Sequence, residues 1–254
     1  MSLDLAAPLL LGFLLGTVRT VAWLVVAPPF STRAVPAYVK VVLAVALSLP
    51  VADRLAAAAP EPTLAGVLGS AVLQVLAGAS LGFVTYLLFA AVQAAGDLLD
   101  LFGGFALAQG YDPLSNSSNS VLGKLHHLLA VTLLFALDLH LVVVDGFLRS
   151  YETLPLDATV PLAGFAQLVT EGIGTFFLSA LQIAAPLVGV LFVVDIGLGL
   201  MSRAAPALNP FSIGFPAKIL ATLLLVGVTM PLLPGAVESV VELGVRAAGT
   251  AAGG

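Results

Sequence analysis

Apolar residues in this chain run in six long stretches, and the polar and charged residues gather in the short segments between them. The stretches predict helices over 5–27, 37–58, 64–95, 121–149, 165–202 and 213–243. Each is long enough to cross a bilayer, which takes about 20 apolar residues. The third and fifth exceed that length, so tilt, a kink or emergence from lipid must absorb the excess. Pro186 in the fifth, and Pro231 and Pro234 in the sixth, are the expected kink sites, since proline removes a backbone donor. Gly12 with Gly16, and Gly78 with Gly82, lie four residues apart and let helix backbones approach closely.

Two connections share a pattern. Pro29-Phe30-Ser31 precedes Pro36 and Lys40, and Pro210-Phe211-Ser212 precedes Pro216 and Lys218. A parallel repeat, as in some transporters, gives this pattern, and so does shared turn chemistry in which one proline stops a helix and the next starts one. The connection after the third stretch is different. Gly103-Gly104-Phe105-Ala106-Leu107-Ala108-Gln109-Gly110-Tyr111-Asp112-Pro113 is apolar enough to lie inside protein, but too rich in glycine and too broken by proline for a stable helix. Ser115 to Asn119 and then Ser120 form a polar run suited to turns and to capping the next helix. Irregular backbone at membrane depth is tolerated where protein buries it or where it lines a water-filled cavity. A plug in a conduit fits that condition, and an ordinary exposed loop is the alternative.

Composition strengthens the membrane assignment: 60% of residues are hydrophobic, 9% are charged and the mean hydropathy is +1.13. The 254 residues leave little beyond six spans, so a single membrane domain over 1–254 is expected. A net charge of -5 with nine scattered Lys and Arg offers no stripe for tracking phosphates, and no nucleic-acid partner is expected. No cysteine is present, which excludes disulfides and thiolate chemistry. The start, Met1-Ser2-Leu3-Asp4, lacks a basic n-region, so the first stretch is expected to be a retained helix. Arg33, Lys40, Lys124, Arg203 and Lys218 flank one set of connections, and Arg54, Arg149 and Arg246 the other. That bias places the odd-numbered connections in the cytoplasm and both ends of the chain outside.

Little supports catalysis. His126 and His127 are adjacent and diverge by about 100° on a helix, while His140 lies roughly 21 Å further along the axis. A straight helix cannot bring them to one metal. Aspartyl proteolysis within the membrane needs two facing aspartates; Tyr111-Asp112 falls in a break and Asp195 lacks preceding glycines. No nucleophile elbow and no phosphate-cradling glycine loop occurs. No enzyme activity, metal or cofactor is expected. Asp145 with Arg149 and Glu242 with Arg246 read as helical ion pairs. Asp138 and Asp145 share a helix face, as do Asp97 and Asp100, and each pair needs water, a partner or protonation. Arg19 is expected to snorkel to the interface. Asp195, deep in the fifth stretch and too far along the axis from Arg203 to pair with it, is expected to meet a polar group on another helix or subunit; a proton relay is the sharper alternative. A secondary transporter built around Asp195, Asp138 and Arg19 is a further alternative.

In order along the chain, Arg19, Pro28-Pro29-Phe30, Val35-Pro36, Lys40, Gly96, Asp112-Pro113, His140, Ser150, Leu154-Pro155, Pro186, Gly199, Arg203-Ala204-Ala205-Pro206, Leu208-Asn209, Phe211, Gly214-Phe215-Pro216 and Lys218 resemble the FliR family of flagellar biosynthetic proteins and its injectisome relatives, the T subunits. The resemblance spans about residues 8 to 240. Two places depart from the family pattern. Pro206-Ala207-Leu208-Asn209 lacks a glutamine common in the family, and Asp138-Leu139-His140 replaces Asn-Gly before the histidine.

The resemblance implies an all-α polytopic membrane protein of about six long, partly broken helices, arranged as hairpins within a larger helical assembly. It implies a non-enzymatic subunit of the flagellar type III export gate, in the bacterial inner membrane at the flagellar basal body. The implied partners are P and Q subunits, other membrane components of the export apparatus, unfolded flagellar export substrates and membrane lipid. A T subunit of a virulence injectisome is the alternative within the same resemblance. The implied plug runs from about 103 to 119 and includes Gly103, Gly104, Phe105, Leu107, Gln109, Gly110, Tyr111, Asp112 and Pro113. The turn holding Arg203, Pro206, Asn209, Phe211, Pro216 and Lys218 is implied to face the cytoplasmic entrance, with Asp195 in subunit packing.

Overall fold

The computed structural model describes residues 2–105, 120–157, 162–204 and 210–253. All regular structure among them is helical: α1 (Ser2–Val26), α2 (Ala37–Ser48), α3 (Ala52–Ala57), α4 (Leu64–Gly103), α5 (Val121–Ala136), α6 (Leu139–Thr153), α7 (Leu162–Ala204), α8 (Pro210–Thr229) and α9 (Leu233–Gly253). The all-α polytopic membrane fold is therefore seen. Four segments are long and apolar enough to span a membrane, namely Ala7–Val26, Leu64–Gly103, Gly164–Ala204 and Ile213–Arg246, and a bent pair formed by α5 and α6 is a fifth if it counts as one span.

Prolines explain most of the departures from six continuous rods. Pro50 splits the second stretch, whose helix stops at Ser48, tightens into a 3₁₀ turn at Leu49–Val51 and resumes as the short α3. The expected break in the sixth stretch is present as a 3₁₀ turn at Met230–Leu232 carrying Pro231. Helix α7 continues through Pro186. The fourth stretch breaks where no proline stands: Asp138 adopts the left-handed conformation, with φ 55° and ψ 16°, and α6 restarts after it. Asp138 and Asp145 thus do not share a continuous helix face. Helix α4 runs eight residues past its expected end, to Gly103, and takes in Asp97 and Asp100.

The chain forms two compact units. The first comprises Met1–Leu88, Leu137–Thr175 and Val241–Gly254. Its core holds Trp23, Leu24, Leu55 and Leu156. Trp23 stacks on Phe147 with ring centroids 4.5 Å apart, and its indole N–H reaches the Thr85 hydroxyl at 3.4 Å. The glycine pairs do what their spacing suggests: a side chain at Gly12 would strike the Leu55 carbonyl, and one at Gly78 would strike the Arg19 carbonyl. Exposed ion pairs join Arg54 to Glu152, Arg149 to Asp145 and Arg246 to Glu242.

The second unit comprises Phe89–Ala136 and Phe176–Val240. Leu99, Leu122, Leu187 and Val226 form its core, with Phe105, Val188, Leu225 and Met230 packed around them. The start of α5 is secured twice. Ser120 accepts the Gly123 N–H at 2.8 Å, as an N-cap does, and the buried Asp100 carboxylate accepts the Leu122 N–H at 3.2 Å. Asp100 so finds its partner in helix-terminal backbone, which carries partial positive charge.

Candidate functional site

In the second unit, residues from both groups singled out in the sequence come together where α4 ends. Gly103 closes the helix with its Cα against the Thr222 side chain, where no Cβ fits. Gly104 then turns the chain at φ 85°, a conformation that costs glycine nothing and costs other residues about 1 kcal/mol. The Lys218 stem and the Phe215 ring flank Gly104, and Phe105 returns its ring to the core cluster. The root of the expected plug is thus seated on α8. Leu107, Gln109, Gly110, Tyr111, Asp112 and Pro113 lie outside the described residues.

An ion pair ties that root to α7. Lys218 Nζ lies 2.6 Å from Asp195 Oδ1 and 2.8 Å from Oδ2, with the lysine side chain 14% exposed and the aspartate 41%. Thr222, one turn beyond Lys218, donates to the Lys218 carbonyl at 2.9 Å. The expected partner of Asp195 on another helix is thus Lys218, a residue named in the sequence for a different reason. Arg203 is exposed in the last turn of α7, where a cation complements the helix C-terminus. Pro216 is exposed inside α8, while Phe211 lies in the first turn of that helix. Pro206 and Asn209 lie outside the described residues.

Arg19 behaves differently from its expectation. It does not snorkel: the side chain is fully buried in the first unit. Its Nε donates to Gln74 Oε1 at 2.7 Å, Nη1 to the Ser150 carbonyl at 3.2 Å and Nη2 to the Leu154 carbonyl at 2.7 Å. The guanidinium also sits over the Tyr151 ring, 4.4 Å from its centroid. The cation caps the end of α6, where unpaired carbonyls and the helix dipole favour positive charge. Tyr151 completes the node, donating to the Gly16 carbonyl at 2.7 Å and meeting the Thr20 hydroxyl at 2.9 Å. Four helices, α1, α2, α4 and α6, meet through these groups, since Thr20 also reaches Ser48 at 3.2 Å and Gln74 belongs to α4.

No group of three His, Asp or Glu residues able to hold a metal occurs among the described residues. His126 is buried with Nδ1 2.8 Å from the carbonyl of Leu122, one turn back on its own helix. What the described residues of both groups show is positioning and packing.

The family model described as bacterial export proteins, family 1, matches residues 10–244. The chain belongs to that family. Among the relatives of this family 1 export protein are two named flagellar biosynthetic protein FliR. The one from Escherichia coli (strain K12) is 34% identical over 216 residues, covering 85% of this chain and 82% of its own. That from Pectobacterium carotovorum is 33% identical over 219 residues, covering 85% and 83%. Yop proteins translocation protein T from Yersinia pestis is 33% identical over 162 residues, 60% of each chain. The family 1 export protein described above is thus a membrane protein of the FliR type, a subunit of a bacterial export apparatus. The matched span takes in both the α4 corner and the Arg19 node.

Proposed function

We propose that this chain is a non-enzymatic subunit of the flagellar type III export gate, in the bacterial inner membrane at the flagellar basal body. With P and Q subunits it forms the conduit through which unfolded flagellar proteins are exported. The observation that carries this reading is the likeness to FliR proteins along most of both chains. Uncovered apolar surface supports it: only 28% of the most apolar window of Gly164–Ala204 and 17% of that of Ile213–Arg246 is buried within the chain. Helices so exposed need lipid or neighbouring subunits.

In this reading the segment from about Gly103 to Asn119 closes the resting conduit, and the sealing residues are Leu107, Gln109, Gly110, Tyr111, Asp112 and Pro113. Gly103, Gly104 and Phe105 anchor it against α8, and the Asp195–Lys218 pair holds α7 and α8 together at that anchor. The turn with Arg203, Pro206, Asn209, Phe211 and Pro216 meets cytoplasmic components of the apparatus. Export through such a gate asks the protein for a shaped, sealable path and for no bond chemistry.

Co-expression with P and Q subunits tests the assignment, and a stable complex containing all three is expected. A chain that purifies alone and never joins them overturns it. Deleting Gly104 to Tyr111 is expected to let small ions leak through the reconstituted complex, and unchanged tightness removes the plug role. The likeness to Yop proteins translocation protein T favours a second reading, an injectisome T subunit. It covers a smaller share of the chain, and loss of flagella on deleting the gene separates the two.

A further inference from the structure

The second unit contains a cavity of about 200 Å³ that the export reading does not use. Its floor is made by Leu99, Leu187, Val226 and Leu233, each at most 7% exposed. Leu99 comes from α4, Leu187 from α7, Val226 from α8 and Leu233 from α9, all within segments apolar and long enough to cross a membrane. An apolar cavity of roughly 150 Å³ stays dry and admits benzene. This one therefore has room for an apolar group of at least that size.

The polar groups on its walls are committed or lie at the rim. His126 has its Nδ1 at the Leu122 carbonyl, and the Thr229 hydroxyl donates to its own helix, 3.0 Å from the Leu225 carbonyl. Gln182 stands at the mouth with its side chain exposed. Its carbonyl loses the usual helical donor, because Pro186, four residues on, has no N–H. An entering chain of methylenes thus buries no unpaired polar group at the floor. An ion or a sugar finds no convergent donors there. Leu232, on the lining, is more than half exposed, and so are Leu178 and Leu181, which precede Gln182 on α7 by four residues and by one.

We propose that this cavity is a lipid site that receives the end of one acyl chain of a membrane phospholipid, entering past Gln182. The lining belongs to segments long and apolar enough to span a membrane, and the floor is apolar. The site stands apart from the export role and would persist if the chain served another machine.

The test places the full chain in nanodiscs of phosphatidylcholine containing a fraction of phosphatidylcholine with a diazirine at the end of one acyl chain. After irradiation, peptides are mapped by mass spectrometry. Labelling of the segments around Leu187 and Val226 is expected to exceed that of Val72 and Val75, exposed residues of the apolar segment Leu64–Gly103 that serve as the bulk-lipid reference. Ala236→Phe, which fills the cavity, is expected to bring the excess down to the bulk level and to leave labelling at Val72 and Val75 unchanged. Gln182→Trp, which obstructs the mouth, is expected to do the same, and it stands in if Ala236→Phe does not fold. Labelling no higher than at Val72 and Val75, or an excess that neither variant lowers, overturns the proposal. So does cross-linking in native membranes of these segments to another protein in place of lipid.

Discussion

A guanidinium sealed among apolar helices is tolerable only when its donors are used, and Arg19 spends them on two carbonyls at the end of α6 and on the Gln74 amide oxygen. Each buried acceptor left unpaired costs about 1–3 kcal/mol, so Arg19→Ala is expected to destabilise the protein by at least about 3 kcal/mol. Arg19→Lys should recover only a minority of that loss, because an ammonium lacks the planar fork that spans Ser150 and Leu154. Thermal unfolding in detergent checks both, and a lysine variant as stable as the parent would refute the capping role. The sequence marked Arg19 as a cation within a span but pointed to the interface. Its acceptors come from residues 55, 131 and 135 positions away, and no helical periodicity encodes those distances. Asp195 was more legible: an unpaired acid deep in a long helix has to find a partner elsewhere. That the partner is Lys218 follows only from how α7 and α8 pack. The pair is half-buried, so Asp195→Ala is expected to cost about 1–2 kcal/mol, more than an exposed pair and less than a fully buried one. Exchanging both residues, Asp195→Lys with Lys218→Asp, should return part of what either single change loses, as read in a double-mutant cycle.

Breaks within elements divide into those with a chemical signature in the chain and those without one. Pro231 and Pro234 announce the 3₁₀ turn at Met230–Leu232, and the serine-rich run announces the cap on α5 that Ser120 supplies. Pro50 carries the same signature, yet the apolar run around it reads as one helix. Asp138 carries almost none: the run 121–149 around it reads as one helix, and only its left-handed backbone shows the break. Aspartate tolerates that conformation better than most residues, and glycine better still. Asp138→Gly is therefore expected to be neutral or to stabilise by up to about 1 kcal/mol, whereas Asp138→Val should destabilise by about 1–2 kcal/mol. Equal stabilities for the two variants, measured by denaturant or heat, would argue against a fixed turn there. The extension of α4 to Gly103 was hidden for a related reason, since Gly96, Asp97 and Asp100 look like helix breakers until Asp100 is seen to accept the Leu122 N–H at the start of α5.

At the scale of the whole molecule, hydropathy alone was enough to read an all-α membrane protein, and the order of short motifs along the chain was enough to point to the family. The number of crossings was not legible, because it depends on the breaks at Pro50 and Asp138. Large apolar side chains on α7 and α8, among them Val193, Ile196, Leu200 and Leu224, remain exposed. A charge placed among them faces either hydrocarbon or a neighbouring subunit, at about 2.5–3.5 kcal/mol if it lies near the membrane centre. Val193→Glu is therefore expected to abolish motility. Glu238→Gln, on an exposed and already polar part of α9, should leave it intact. Swimming assays on cells carrying each variant distinguish them, and normal swimming with Val193→Glu would mean that this face touches neither lipid nor partner.

The fractured second stretch also changes the bookkeeping of sidedness. Six passages would return the polypeptide to the compartment where it began. With α2 and α3 too short to traverse, the count becomes four or five, and the α5–α6 elbow alone decides between them. Reporter tags on the outer ends of α1 and α9 convert that elbow into a yes-or-no question: the same compartment means it dips in and turns back, and opposite compartments mean it goes through.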